Sequence, residues 1–215
     1  MSLSGSKDTK RDERHTRILS AALEVFSKSS FGEATTDEIA RRARVSKRDL
    51  YAAFPDKHAI LTKVIETVLE NGDANLRRAI ADSQKSSPSR EGTLEIIGLA
   101  LVSEILSPLE GFVCRLAFAE SVGHPSIGED YFKKWYSRRK KIVAQTLSSS
   151  FAEVKGLSRM PYDKNQASGH FLALITHLPQ LTVSLGLTGM WNPKSVQAHV
   201  KNSVECFLKA YPALT

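Results

Sequence analysis

An all-α fold of about nine helices is what this sequence predicts. Three observations carry that reading: helical periodicity along most of the chain, no run that alternates apolar and polar residues, and Pro, Gly or Ser breaks at helix-length intervals. The 215 residues, 41% apolar with 12 glycines, have the composition of a folded globular chain of one or two domains.

Residues 1–10 are small, polar and charged and are expected to form a flexible arm. A first helix is predicted from about Asp12 to Lys28, with Ile18, Leu19, Ala22, Val25 and Phe26 on one face. Thr35-Thr36-Asp37-Glu38 matches a capping box, in which the Thr35 hydroxyl and the Glu38 carboxylate each take a backbone N–H of the other. The short helix it opens turns Ile39, Ala40 and Ala43 inward. Val45 follows in a tight turn, and Ser46 with Asp49 caps a third helix carrying Leu50 and Phe54. Asp56 opens a long fourth helix to about Asp82, whose stripe Ile60, Leu61, Val64, Ile65, Val68 and Leu69 is the cleanest amphipathic signal present. At 1.5 Å per residue this helix reaches about 39 Å, enough to connect two domains. Ser83–Gly92 reads as a loop. Further helices are expected at about 91–107, 109–121, 126–150, 163–187 and 193–210, with a loop over 152–162 and Pro193 at a first helical position. The division expected is an arm (1–10), a three-helix unit (11–56) and a helical domain (57–215).

Thirty Lys and Arg against 23 Asp and Glu give +7, a balance that favours a polyanionic partner. Cys114 and Cys206 are too few and too far apart for a disulfide scaffold or a cysteine zinc site and read as buried apolar residues. The start, Met1-Ser2-Leu3-Ser4-Gly5-Ser6-Lys7, lacks a signal-peptide core, and Phe171–Leu187 is too polar for a membrane span, so a soluble cytoplasmic protein with no membrane partner is expected.

Two short helices joined by a tight turn against a first helix make a helix-turn-helix unit, whose later helix is slim enough for the DNA major groove. Charge agrees: residues 41–48, Arg-Arg-Ala-Arg-Val-Ser-Lys-Arg, hold five cations and no acid. Arg17-Ile18-Leu19-Ser20-Ala21-Ala22-Leu23-Glu24-Val25-Phe26, Phe31-Gly32, Thr35-Thr36, Ile39-Ala40, Val45-Ser46-Lys47, Leu50-Tyr51, Phe54 and Lys57 resemble the amino-terminal domain of TetR-family transcriptional regulators over residues 14–61. Phe118-Ala119-Glu120 with His124-Pro125 resembles one branch of that family's carboxy-terminal domains. The resemblance implies an amino-terminal DNA reader and a larger carboxy-terminal domain that binds a small effector and dimerises. A repressor on a palindromic operator follows, with recognition helices about 34 Å apart. An activator, or a regulator without a ligand, is the alternative.

Two positions depart from the family. Arg44 stands where relatives usually carry Gly, at a cost of roughly 1 kcal/mol if φ is positive there. Alternatively, the turn takes another shape, and the extra cation reaches a phosphate. Ala52-Ala53 replaces residues commonly aromatic or His, leaving methyl groups to meet thymine. The DNA-contact candidates are therefore Thr35, Thr36, Arg44, Ser46, Lys47, Arg48, Tyr51 and Lys57. Lys57 is included because a cation in a first helical turn opposes the helix dipole.

In the carboxy-terminal domain Glu104, Phe112, Arg115, Leu116, Trp135, His170 and His177 are the effector-pocket candidates, the two histidines falling on one helix face. Six cations in residues 133–141 (Lys133, Lys134, Arg138, Arg139, Lys140, Lys141) read as a solvated face, with a second DNA patch as the alternative. Trp135, Ile142 and Leu147 are expected inside. Dimerisation is expected through 163–187 and 193–210, on Phe171, Leu174, Leu178, Leu181, Val196, Val200, Val204 and Phe207. No phosphate loop, nucleophile elbow, H-E-x-x-H or carboxylate pair stands out, so neither catalysis, a metal nor a cofactor is predicted. Turnover in the carboxy-terminal pocket is the remaining enzyme reading.

Overall fold

The structure, a computed structural model, describes residues 4–86, 89–150 and 164–211. Its α-helices are α1 (Ser4–Lys28), α2 (Thr36–Ala43), α3 (Lys47–Ala53), α4 (Lys57–Ser86), α5 (Arg90–Ile105), α6 (Pro108–Ser121), α7 (Pro125–Phe132), α8 (Arg138–Ser150), α9 (Lys164–Ser184) and α10 (Pro193–Ala210). A π turn, Lys133–Ser137, runs α7 into α8, so the predicted helix 126–150 is one helix with a widened turn. No strand occurs among the described residues.

Two expectations about ends are corrected. Residues 4–10 are helical and extend α1; the stretch holds no proline to stop the helix. The loop after α4 is shorter than Ser83–Gly92, because α4 continues to Ser86 and α5 begins at Arg90 behind the Ser89 cap. The predicted loop 152–162 lies outside the described residues.

The chain forms two compact units, residues 1–67 and 68–215, with the division inside α4 rather than ahead of it. In the first unit α1 packs on α2, and α2 on α3. Its core is Ile18, Ala22, Val25, Phe26, Phe31, Ile39, Leu50 and Phe54, every one buried. In the second unit α5, α9 and α10 pack on one another, α8 packs on α9, and α6 packs on α7 and α9. Leu76, Leu94, Ile97, Phe171, Ile175, Val204 and Phe207 fill its centre. Among the described residues no single helix is long and apolar enough to cross a membrane.

Pro179 sits inside α9 and has no N–H for the Ile175 carbonyl four residues back. The ring Nε2 of His199 on α10 lies 2.9 Å from that oxygen, and because a carbonyl only accepts, the nitrogen there must carry the proton. The imidazole thus replaces the hydrogen bond that proline removed, and ties α10 to α9.

The π turn has a similar local cause. Tyr131, Trp135 and Arg139 recur at spacing four and are all buried. In a 3.6-residue helix that spacing drifts by about 40° per step, and a widened turn takes up the drift. Arg139, read from sequence as part of a solvated run, is 1% exposed. Its Nη1 and Nη2 donate to Glu110 Oε1 and Oε2 at 2.6 and 3.0 Å, and Trp135 Nε1 donates to Glu110 Oε1 at 2.9 Å. Asp73 on α4 completes the cluster, its Oδ1 3.5 Å from Arg139 Nε. Burial works against the Arg139 charge, and the Glu110 carboxylate more than offsets it, so the guanidinium is held above its ordinary pKa. Burial pushes the Asp73 carboxyl up. Gly72 permits this packing: a Cβ there would stand 2.6 Å from Arg139 Nη2.

Candidate nucleic-acid interface and effector groove

Arg44 settles the turn. Its φ of 54° and ψ of 47° place it in the left-handed region, and it is the only non-glycine residue with positive φ among those described. Its N–H bonds to Ala40 and Arg41 carbonyls, and the Val45 N–H reaches Ala40 O at 3.1 Å, closing the end of α2. The position therefore has the geometry for which glycine is suited, and arginine bears the cost.

Ser46 then caps α3, its Oγ accepting the Asp49 N–H at 3.0 Å and donating to Asp49 Oδ2 at 2.7 Å. Arg14 of α1 holds the same carboxylate at 3.0 Å. Leu50 and Phe54 anchor the inner side of α3, which leaves Lys47, Arg48, Tyr51 and Ala52 exposed.

The five cations of residues 41–48 divide. Arg41 and Arg42 are held by Glu38, at 2.7 and 2.6 Å, and Arg42 also by Glu24 at 2.5 Å. This corrects the capping box: Thr35 Oγ1 accepts the Glu38 N–H at 3.2 Å, but the Glu38 carboxylate serves the two arginines. Their hydrogen bonds lower its pKa to about 2. Lys47 pairs with Asp37 at 2.7 Å across exposed surface. The Arg44 and Arg48 side chains form no ion pair among the described residues. Tyr51, 50% exposed, places its hydroxyl 3.0 Å from Thr36 Oγ1, beside the α2 N-terminus that Thr35 caps.

Lys57 differs from expectation. Its Nζ donates to the carbonyls of Phe31 (2.5 Å), Ala34 (2.9 Å) and, more weakly, Gly32 (3.4 Å), and lies 4.4 Å from the Phe31 ring centre. The ammonium satisfies the α1–α2 connection, and its donors are not turned to a phosphate. Sequence alone gave no sign of this, because the carbonyls it meets belong to main chain more than twenty residues earlier.

In the second unit a groove of about 810 Å³ opens between α6, the α7–π-turn stretch and α9. Trp135 and His177 line it, as do Phe118, Tyr131, Phe132, Tyr136, Leu174 and Gln180. The other effector candidates lie elsewhere. Glu104 accepts from Asn75 Nδ2 at 2.7 Å, Arg115 donates to the Val183 carbonyl at 3.3 Å, and His170 pairs with the Tyr211 hydroxyl at 2.5 Å. Phe112 is half-buried and Leu116 buried, and neither reaches the groove. His170 and His177 thus serve separate places. The aromatic doublets Tyr131-Phe132 and Trp135-Tyr136, four apart, were the sequence signal for this wall.

Four of the residues proposed from sequence for dimerisation, Phe171, Val200, Val204 and Phe207, are spent in the chain's own core. Leu178 and Leu181 are 47% and 46% exposed, and Leu185 is exposed too. Cys206 is exposed rather than buried, while Cys114 is buried.

A helix-turn-helix corner whose second helix presents an open basic and aromatic face, carried by a larger helical domain, defines a DNA-binding transcriptional regulator. Residues 18–64 match the family described as bacterial regulatory proteins, tetR family, and residues 92–213 match the AefR-like transcriptional repressor, C-terminal domain. The chain belongs to the TetR family of bacterial regulatory proteins. It is 29% identical over 79 residues to the HTH-type transcriptional regulator EthR of Mycolicibacterium smegmatis, covering 37% of this chain and 36% of that one. It is 40% identical over 70 residues to the HTH-type transcriptional activator FasR of the same organism, covering 33% and 32%. The chain thus spans about a third of the length of these curated relatives. A TetR-family regulator from Mesorhizobium loti MAFF303099 shares the fold with a TM-score of 0.81 at 19% identity, over 93% of this chain and 97% of that one. The flavonoid-responsive regulator FrrA does so at 0.69 and 22%, over 92% and 96%.

Proposed function

We propose that this regulator is a homodimeric repressor that reads a palindromic operator and is released by a small molecule bound in the α6–α7–α9 groove. The observation that carries the DNA-reading assignment is the uncommitted face of α3. Among the described residues neither Arg48 nor Arg44 forms an ion pair, and Tyr51 and Ala52 are exposed on α3 as Arg48 is. Arg48 supplies the base contact; Ala52 meets a thymine methyl; Thr35, Thr36, Tyr51 and Arg44 meet phosphates; Lys47 exchanges Asp37 for DNA. Ser46 sets the start of the helix. Lys57 is left out of the interface.

Repression rather than activation is supported by the match of residues 92–213 to a repressor domain, since the activator relative aligns over only 70 residues. Dimerisation is supported by Leu178 and Leu181, exposed on α9, and by Leu185 just past its end. Effector coupling runs through α4, one continuous helix whose residues belong to both units. Coupling of this kind is typically about 1–3 kcal/mol and reciprocal, so operator DNA weakens effector binding by the same factor.

In vitro selection of bound duplexes tests the reading. A palindrome with half-sites about one helical turn or somewhat more apart is expected. Arg48→Ala then loses about 1–3 kcal/mol and relaxes preference at one base pair per half-site. Uniform weakening without relaxed preference would remove Arg48 as a base reader. Sedimentation of a 23.7 kDa species, instead of twice that mass, would remove the dimer.

A further inference from the structure

We infer that the α6–α7–α9 groove takes an uncharged, flat, ring-bearing molecule that carries a hydroxyl donor. This rests on the reading of that groove as the effector site and adds the chemistry of the occupant.

Charge decides first. None of the residues lining the groove is Asp, Glu, Lys or Arg. The Arg139 guanidinium, four residues after Trp135, is neutralised by Glu110 and Asp73, and the Lys140 ammonium stays 5.9 Å from the Tyr136 ring centre, outside the lining. A carboxylate, sulfonate or ammonium entering here would give up its hydration with nothing in the groove to replace it.

Shape comes second. The Phe132 and Tyr136 rings are stacked, 19° apart at 5.1 Å, and Phe118 packs against Tyr131 as a tilted pair with ring centres 6.1 Å apart. Such rings present flat faces and edges that favour a flat aromatic partner over a flexible chain. The volume of about 810 Å³ suits a ligand of a few fused or linked rings.

The polar atoms come third, and all the informative ones are on α9. Thr176 and Ser184 spend their hydroxyls on the Leu172 and Gln180 carbonyls, at 2.7 and 2.8 Å. Gln180 Nε2 leans toward the Tyr131 hydroxyl at 3.4 Å and Cys114 Sγ at 3.9 Å. The carbonyl oxygen of that same amide has no partner among the described residues, nor does the His177 ring. Burial keeps the Tyr131 phenol protonated and neutral. The Gln180 oxygen calls for a donor and the His177 imidazole for a donor and an acceptor, and a ligand hydroxyl can supply both.

Calorimetry on the full chain tests this with four probes of similar size: 2-naphthol, 2-methoxynaphthalene, naphthalene-2-sulfonate and 1-decanol. At neutral pH 2-naphthol should bind more tightly than the sulfonate by about tenfold or more, as an uncompensated charge requires. It should exceed the methoxy compound by about fivefold through its hydroxyl donor, an advantage that Gln180→Leu removes. Ala173→Trp, at an exposed position on the groove wall, should abolish binding. Sulfonate or decanol binding as tightly as naphthol, and blocked by Ala173→Trp, overturns the ligand class but leaves the groove as the effector site. Naphthol binding that Ala173→Trp blocks but that does not weaken operator binding sustains the ligand class and overturns the effector reading. Binding that ignores Ala173→Trp overturns the site itself.

Discussion

Replacing Arg44 separates two consequences of one residue. With φ at 54° an L-residue costs about 1–2 kcal/mol over its right-handed alternative, because Cβ crowds the neighbouring carbonyl. Glycine removes that cost but restores roughly 0.5–1 kcal/mol of unfolded-chain entropy. Arg44→Gly is therefore expected to stabilise the fold by a net of about 0.5–1 kcal/mol, or about 1–4 °C in Tm if a chain of this length unfolds as one unit. Arg44→Gln keeps the Cβ and the strain but loses the charge, so its stability should stay within about 0.5 kcal/mol of the parent. Both variants should weaken operator binding and reduce the salt slope by about 0.9, the signature of one lost phosphate contact. Urea unfolding and salt-dependent DNA binding read the two effects independently. Equal stability of the Gly and Gln variants would show that the left-handed geometry costs no more than the entropy glycine restores. An unchanged salt slope would remove Arg44 from the interface.

Glu38 titrates at about 2 rather than 4.5 because Arg41 and Arg42 hydrogen-bond its ionised form, so the folded chain binds fewer protons than the unfolded one. The stabilisation is complete above pH 4.5 and is lost as pH falls toward 2; Glu38→Gln should flatten that limb of an acid-unfolding curve. Glu110→Gln leaves the buried Arg139 short of its counter-charge and should cost about 3–5 kcal/mol in urea unfolding, most of it recovered by the apolar pair Glu110→Leu with Arg139→Met. His199→Ala orphans the Ile175 carbonyl and should cost about 1–3 kcal/mol, and adding Pro179→Ala, which restores a helical N–H, should return much of it.

The sequence made helices legible wherever local signals set them. Ser46, Asp56 and Pro193 open α3, α4 and α10 where their capping chemistry says they should, and Ile39, Leu50 and Phe54 face inward as their spacing requires. The helix-turn-helix corner was legible because it is built from one short continuous segment. The groove was only half legible, since its walls come from helices separated by dozens of residues. Trp135 and His177 were found, but Phe112 and Leu116 looked equally apolar and point elsewhere. The role of His199 was invisible for the same reason: nothing near it in sequence shows that Pro179 has left a carbonyl unpaired.

The two basic runs show how far charge can be read without structure. Residues 41–48 and 133–141 look alike as strings, yet a cation's fate depends on which carboxylate its helix face meets. Glu38, three and four residues before Arg41 and Arg42, is an acid that helical spacing alone could assign to them. Glu110 and Asp73 reach Arg139 from other helices, and burial then makes the partnership compulsory, because an unpaired guanidinium there would be far too costly. Arg44 and Arg48 form no ion pair among the described residues. Arg44 sits where the chain reverses its hand, and Arg48 projects from the exposed side of α3. Their charges stay open to a partner outside the chain, and the backbone strain accepted at Arg44 leaves a cation where glycine would give none. A duplex phosphate beside the turn is the partner we propose for that cation.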